Sequence, residues 1–327
     1  MNSWSAGPNR ECVVSKFPFV FSNPAHSLAA CALPLDDLGL IRATGPEARA
    51  FLQGQLSNDS KLLSLSQGQL SGYCSPKGRL LAVFTVLQLG EDDFALALPA
   101  GLLAPTLKRL KMFVLRSKLT LSDASSELPA LGVMGEAAAA ALATFGFAVP
   151  DSDYGSAQHA GTLLLRRPGP VPRFELRAAP GQLAALRQSL NLLPANPDDW
   201  ALAEVLAGTP QVLPETTDHF VPQTINLDLA GGVSFTKGCY PGQEIVARVH
   251  YLGRVKQRLR LAQAQATLPP GTQLLDAEGH SVGMVMAAAP HPQLGAVLAL
   301  SLNLSHAGEA PLRADGHDTA IVPLPLS

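Results

Sequence analysis

The sequence lacks the long apolar run that a membrane-spanning helix needs, since no stretch reaches roughly 18 apolar residues. Its N-terminal residues also lack the basic start and unbroken apolar core of a signal peptide. We therefore expect a cytoplasmic protein. The sequence also lacks a large excess of one charge, since its formal net charge is -2. No overall positive field therefore attracts nucleic acid or anionic membrane. Neither direct nucleic-acid binding nor membrane binding is expected.

Cysteine is scarce and widely spaced. The four cysteines, Cys12, Cys31, Cys74 and Cys239, form no CxxC pair, so a disulfide framework or a zinc site is not expected. The chain also contains no HExxH, no GxxxxGK[ST] and no GxGxxG motif. These absences argue against a zincin, a P-loop NTPase and a Rossmann dehydrogenase. No metal site is predicted.

What is present predicts an α+β protein of several domains, since 327 residues exceed one ordinary core. Residues 1–34 lack a clear period and are interpreted as a loose N-terminal arm. Strand and helix patterns alternate in the body of the chain, including a hairpin signal at Ser75-Pro-Lys-Gly and a helix from Pro46. A further helix over DDWALAEVLAG is expected to be capped by Asp198 or Asp199. After Gly253 the pattern changes to short strands with Gly or Pro turns, which is typical of a small antiparallel barrel.

The segment KGCYPGQE, residues 237–244, raises the question of a functional thiol. Pro241 suits the first position of a helix, and Gly253 is a natural stop. Cys239 is therefore expected just before a helix N-terminus, where backbone donors, the helix dipole and Lys237 favour an anionic sulfur. The alternative is a small buried cysteine in a helix-entry turn. The local pattern leaves both interpretations open.

KGCYPGQEIVAR closely resembles the K-G-C-Y-x-G-Q-E signature of the YgfZ family. FLQGQLSND, GYCSPKGRLLA and VPQTINLDLAGGVSFTKGCY resemble further stretches of that family. The family consists of folate-binding proteins related in fold to the glycine-cleavage T-protein and to mitochondrial iron–sulfur assembly factors. The resemblance, which runs from about Leu35 to the C-terminus, implies three subdomains around a central hole that binds tetrahydrofolate.

The resemblance implies a domain organisation for the whole chain. Residues 35–127 and 198–253 would form the folate-binding domain, residues 128–197 a second α+β subdomain, and residues 254–327 the C-terminal β-barrel. It also implies a role in making or repairing iron–sulfur enzymes, including a methylthiotransferase that modifies tRNA. The expected partners are folate and iron–sulfur enzymes or their assembly proteins.

The resemblance implies that Cys239 is the functional thiol. Trp200 matches one of two tryptophans that contact folate in the bacterial type, and Leu38 stands at the position of the other. Amide and ammonium groups of Gln223, Asn226 and Lys237 are candidates for the polar parts of folate. The remaining signature positions are Gly238, Tyr240, Gly242, Gln243, Glu244 and Arg248.

One departure bears on folate affinity. Related folate proteins carry Glu-Ala-Gly late in the helix of Trp200, and this chain has Leu206-Ala207-Gly208. Glu204 is expected on another face of the helix, and Asp228 is a possible substitute for the missing carboxylate.

Three functions follow: a folate-binding accessory protein for iron–sulfur enzymes, a folate-dependent one-carbon (aminomethyl) transferase, or a non-catalytic scaffold. A stand-alone enzymatic activity is left undecided by the sequence.

Overall fold

The computed structural model of the chain describes residues 18–307 and 311–323, and half of the predicted N-terminal arm, residues 1–17, lies outside them. In chain order the strands are β1 Cys31–Pro34, β2 Leu38–Thr44, β3 Gln69–Cys74, β4 Leu80–Gly90, β5 Asp93–Pro99, β6 Thr120–Asp123, β7 Ala130–Met134, β8 Ser156–His159, β9 Thr162–Arg166, β10 Arg173–Arg177, β11 Leu193–Pro194, β12 Gln257–Ala264, β13 Gln273–Leu275, β14 Ser281–His291, β15 Gly295–Asn303, β16 Leu312–Ala314 and β17 His317–Pro323. The α-helices are α1 Ala48–Gln55, α2 Ala100–Val114, α3 Ala138–Phe145, α4 Pro180–Ser189, α5 Pro197–Leu206 and α6 Gln243–Tyr251.

Three sheets organise these strands. An antiparallel five-stranded sheet has the order β3-β4-β5-β2-β6. A six-stranded sheet has the order β11-β1-β7-β10-β9-β8, and β12-β15-β14-β13-β16-β17 close into a barrel. The α+β class and the C-terminal antiparallel barrel are therefore confirmed.

Local sequence accounts for several of these elements. The Ser75-Pro-Lys-Gly turn joins β3 to β4 as predicted, with the Gly78 N–H bonded to the Ser75 carbonyl at 2.9 Å. Gly78 adopts a φ of +70°, which a side chain would strain. In α1 the buried residues Ala48, Phe51 and Leu52 recur at helical spacing and face the core.

Two sequence-based expectations are wrong in detail. The arm ends earlier than predicted, because Cys31–Pro34 pairs with β7 and β11 inside the six-stranded sheet. The N-cap of α5 is neither Asp198 nor Asp199. Asn196 holds that position, since its side chain accepts the Asp198 N–H and Pro197 occupies the first turn.

Helix α5 lies where the three sheets meet. Its Leu202 and Leu206 belong to the main hydrophobic core, which includes side chains from the five-stranded sheet and the barrel. Its Trp200 and Ala203 belong to a separate cluster beside β1 and β7, and the helix also packs against β14 and β15. No helix in the described part of the chain has the length and apolar character needed to cross a membrane.

Candidate functional site

The KGCYPGQE segment forms an irregular loop that leads into α6. Cys239 is exposed, whereas the other two cysteines of the described residues are buried. The helix begins at Gln243 rather than at Pro241, so the thiol lies further from the helix start than predicted. Stabilisation of a thiolate by the helix N-terminus therefore stays a prediction.

Gly242 explains the late helix start. This residue has a φ of +79°, in the left-handed region that favours glycine. A β-carbon here would lie 2.7 Å from the α-carbon of Gly78, because the loop packs against the β3–β4 turn. Gly238 is different, since a β-carbon there would have no neighbour within 4 Å. The first glycine of the signature is exposed, and the second fixes the loop against the sheet.

Lys237 anchors the loop to the C-terminus of α1. Its ammonium donates to the carbonyls of Gln53 and Leu56, both at 2.5 Å, and the residue is only 8% exposed. A helix C-terminus favours a cation, so this ammonium caps α1. Burial lowers the pKa of Lys237 to about 8, against the opposing effect of Asp59. The proposed contact of Lys237 with folate carboxylates stays a prediction, and two of its three donors already have partners.

Tyr240 is the second inward anchor of the loop. It is 7% exposed and belongs to the main core, and its ring lies 5.1 Å from the Lys237 ammonium. Burial raises the pKa of Tyr240, with a smaller contribution from Cys74, and burial raises the pKa of the Cys74 thiol to about 12. Cys74 is therefore a protonated core residue. Because both anchors point inward, Cys239 lies on the outer side of a fixed loop.

The rest of the signature is divided between the two faces of α6. Glu244 and Arg248 are exposed, Gln243 is half-buried, and Val246 is buried in the core. Phe235, just before the signature, stacks on His250, with ring centroids 3.6 Å apart and planes 14° apart.

The structure brings Trp200 and Leu38 together. Trp200 is 7% exposed in its cluster, and the half-buried Leu38 packs against the same cluster. The guanidinium of Arg173 lies 5.1 Å from the indole centroid. This cluster is distinct from the core of Tyr240. The folate site that the family resemblance implies stays a prediction.

Gln223 and Asn226 hold neighbouring elements together. The fully buried Gln223 donates its Nε2 to the Val246 carbonyl at 2.8 Å, and its Oε1 has no hydrogen-bond partner in the structure. Asn226 bonds both backbone groups of Leu259 through its side chain, at 3.2 and 3.3 Å. Asp228, the suggested carboxylate for the pterin, pairs with Arg258 at 2.6 Å. Only the Gln223 Oε1 among these amide atoms is buried and unpartnered.

Sequence reasoning missed a buried charge network beside Trp200. Glu204 pairs with Arg167 at 2.8 Å and with Arg173 at 3.1 Å. Glu175 pairs with Arg177 at 2.6 Å and with Arg167 at 3.5 Å. The two arginines lower the pKa of Glu204 to about 2 despite its burial. Alternation along β10, where Arg173, Glu175 and Arg177 share one face, is a signal that could have indicated it.

Two open depressions lie elsewhere on the surface. One of about 820 Å³ is lined by residues 63–66, Gln88 and residues of the 148–158 segment, and one of about 770 Å³ by Glu47 and residues 113–117. Neither depression is lined by Cys239 or Trp200.

In the described ranges, one group of side chains in the β13–β14 turn could offer three metal-ligand atoms: Asp276, Glu278 and His280. The Asp276 carboxylate already accepts two backbone N–H groups of that turn.

The sequence also contains one GxSxG pentapeptide, residues 279–283. It runs from the β13–β14 turn into strand β14. A nucleophile elbow requires a strand followed by a helix, so this pentapeptide does not indicate a hydrolase.

Comparison with individual known proteins gives several matches to proteins of one name. No protein-family model matches the chain. The tRNA-modifying protein YgfZ of Photorhabdus laumondii is 33% identical over 323 residues, covering 95% of this chain and 98% of that protein. The tRNA-modifying protein YgfZ of Colwellia psychrerythraea is 32% identical, covering 72% of this chain and 72% of that protein. The protein of the same name from Serratia proteamaculans is 33% identical, covering 78% of each chain.

The fold comparison points to the T-protein. The glycine cleavage system aminomethyltransferase T of Bartonella henselae superposes with a TM-score of 0.76 at 17% identity, covering 92% of this chain and 87% of that one. At this identity the match shows the fold, and it confirms the T-protein-like architecture that the resemblance implied.

Proposed function

This chain belongs to the YgfZ family of tRNA-modifying proteins, and from that premise we propose that it is an accessory protein for tRNA modification. Its clients are iron–sulfur enzymes, including a methylthiotransferase that acts on tRNA. The near-complete coverage of the Photorhabdus laumondii relative supports carrying the family role over to the whole chain.

The observation that carries the proposal is the exposed thiol of Cys239 in a loop with inward anchors on both sides. Lys237 and Tyr240 use their side chains for structure, which leaves Cys239 as the group that the loop presents outward. A thiol must be accessible to act as a nucleophile, a transient metal ligand or a partner in a mixed disulfide. This exposure supports Cys239 as the functional group of the signature.

Tetrahydrofolate is the proposed ligand, and its flat pterin stacks at Trp200 beside Leu38. The fit of the chain to folate is supported by this aromatic side chain. The unpartnered Oε1 of the fully buried Gln223 is a separate candidate acceptor for an N–H group. Asn226 and Lys237 contribute less than the sequence suggested, because their polar atoms already bond the backbone. Bound tetrahydrofolate would supply a reduced pterin that can accept a one-carbon unit next to the chain's own groups.

The role is tested in a bacterium whose own YgfZ gene has been deleted. The readout is the fraction of methylthiolated adenosine in bulk tRNA, measured by mass spectrometry of nucleosides. Expression of this chain should raise that fraction clearly above the deletion strain. A fraction that stays at the deletion level, with folded protein present in the cells, would contradict the proposed role.

No specific observation favours the two alternatives. The aminomethyltransferase hypothesis rests on a fold shared at 17% identity, and Glu204 is held by two arginines rather than presented to a ligand. Turnover of methylene-tetrahydrofolate with an amine acceptor would support it. The scaffold hypothesis requires that tetrahydrofolate fails to bind, which calorimetric titration measures directly.

A further inference from the structure

The N-terminal segment of residues 18–23 packs into the hydrophobic cluster that contains the indole we propose for folate. Phe21 is 7% exposed and belongs to the cluster of Trp200, and Phe19 packs against the same cluster together with Leu38. The two phenylalanine rings meet edge to face, with centroids 4.7 Å apart. Aromatic rings of the chain itself therefore pack in the same cluster as the indole on which a flat ligand ring would stack.

A few polar contacts tether this segment. The Ser22 N–H and hydroxyl donate to the Asp199 carboxylate at 2.8 and 3.1 Å, and the Asn196 amide donates to the Ser22 hydroxyl at 2.9 Å. At the other end, His291 of the barrel lies 3.0 Å from the Pro18 carbonyl through its Nε2. Residues 18–23 belong to no strand or helix, so no ladder of backbone bonds holds them down.

The other neighbours of the indole are fixed. A β-carbon at Gly132 on β7 would lie 2.9 Å from the Trp200 ring, so the sheet already touches it closely. Arg173 is fully buried, pairs with Glu204 and donates to the Pro168 carbonyl. Moving either group would break a sheet or a buried charge network. Release of the N-terminal segment would expose Phe21 and the Asp199 carboxylate to water, but it would break neither a sheet nor a buried ion pair.

We propose that residues 18–23 are a displaceable cover that competes with folate for Trp200. This inference rests on the proposed folate binding. In the closed state Phe19 and Phe21 occupy the ring slot, and folate stacks only on molecules whose cover has opened. The apparent dissociation constant for folate then exceeds the intrinsic one by the ratio of closed to open molecules. A variant that weakens the cover should therefore bind folate more tightly.

The test uses the full chain with Trp4→Phe, which leaves Trp200 as the sole tryptophan, since the sequence has two. Phe21→Ala removes the buried ring of the cover, and Leu28→Ala, at a side chain that is 82% exposed, is the matched control. Acrylamide quenching of Trp200 should rise at least twofold in the Phe21 variant and stay unchanged in the control. Calorimetry with tetrahydrofolate should show a dissociation constant about tenfold lower in the Phe21 variant.

The outcomes separate the two proposals. If the Trp4→Phe protein binds tetrahydrofolate, but Phe21→Ala changes neither the quenching nor the affinity, the cover is overturned and folate binding stands. Weaker binding by Phe21→Ala also overturns the cover, because the ring would then be a wall of the site. If neither protein binds tetrahydrofolate, the proposed folate binding is overturned, and the competition with it.

Discussion

Replacing Glu204 with Gln should destabilise the protein by about 3 kcal/mol. The carboxylate pairs with Arg167 and Arg173 at 2.8 and 3.1 Å, and its side chain is only 18% exposed. Its pKa is lowered from the ordinary 4.5 to about 2, and each pKa unit corresponds to about 1.4 kcal/mol. Loss of one partner of a buried pair typically costs about 3–5 kcal/mol, and glutamine keeps one acceptor, so the lower end is expected.

Urea denaturation at pH 7 measures this loss as a shift of the midpoint at unchanged slope. Asp93→Asn is the matched control, because Asp93 pairs with Arg42 at 2.6 Å where both side chains are partly exposed, and it should cost below about 1 kcal/mol. The depressed pKa also gives Glu204 a stabilising contribution that is complete above pH 4.5 and is lost as the pH falls toward 2. The Gln variant should lack that dependence. A loss no larger than that of the control would refute the reasoning.

Three further predictions concern the signature loop. In the native protein a thiol reagent should label Cys239 rapidly and spare the buried Cys74 until the protein is unfolded, as read by mass spectrometry of peptides. Gly242→Ala should cost about 1–3 kcal/mol because of its φ of +79°, whereas the exposed Gly238→Ala should change stability by less than about 0.5 kcal/mol in the same urea assay. Because its pKa is lowered, Lys237 holds a smaller share of its proton in the folded protein than in the unfolded chain between about pH 8 and 10.5. The free energy of unfolding should therefore rise with pH over that window. A Lys237→Met variant should lose that rise.

Local patterns were enough to predict much of the fold. The Ser75-Pro-Lys-Gly hairpin, the apolar face of α1 and the short strands of the barrel all follow from residue spacing and turn chemistry. Strand β1 was not predictable in this way. It has four residues without alternation, and it forms by pairing with β7, about a hundred residues later in the chain, and with β11. The end of the N-terminal arm was placed too late for that reason.

The candidate site was predictable in its residues and not in their surroundings. The pattern KGCYPGQE singled out Cys239, yet its exposure depends on Lys237 reaching the carbonyls of Gln53 and Leu56, far away in the sequence. Such contacts leave no local signal. The burial of Trp200 in one cluster with Phe21 likewise depends on tertiary packing, although each residue alone looks like an ordinary apolar position.

The role of the Cys239 thiol is tested most directly by methylthiolation of tRNA in the deletion strain. Cells expressing Cys239→Ala are compared with cells expressing equal amounts of the wild-type chain and of a control, Cys31→Ala, at a buried cysteine of β1. The account predicts that the Cys239 variant leaves the methylthiolated fraction at the deletion level, while the control restores it. Full restoration by Cys239→Ala would contradict the account and remove the thiol from the function of this protein.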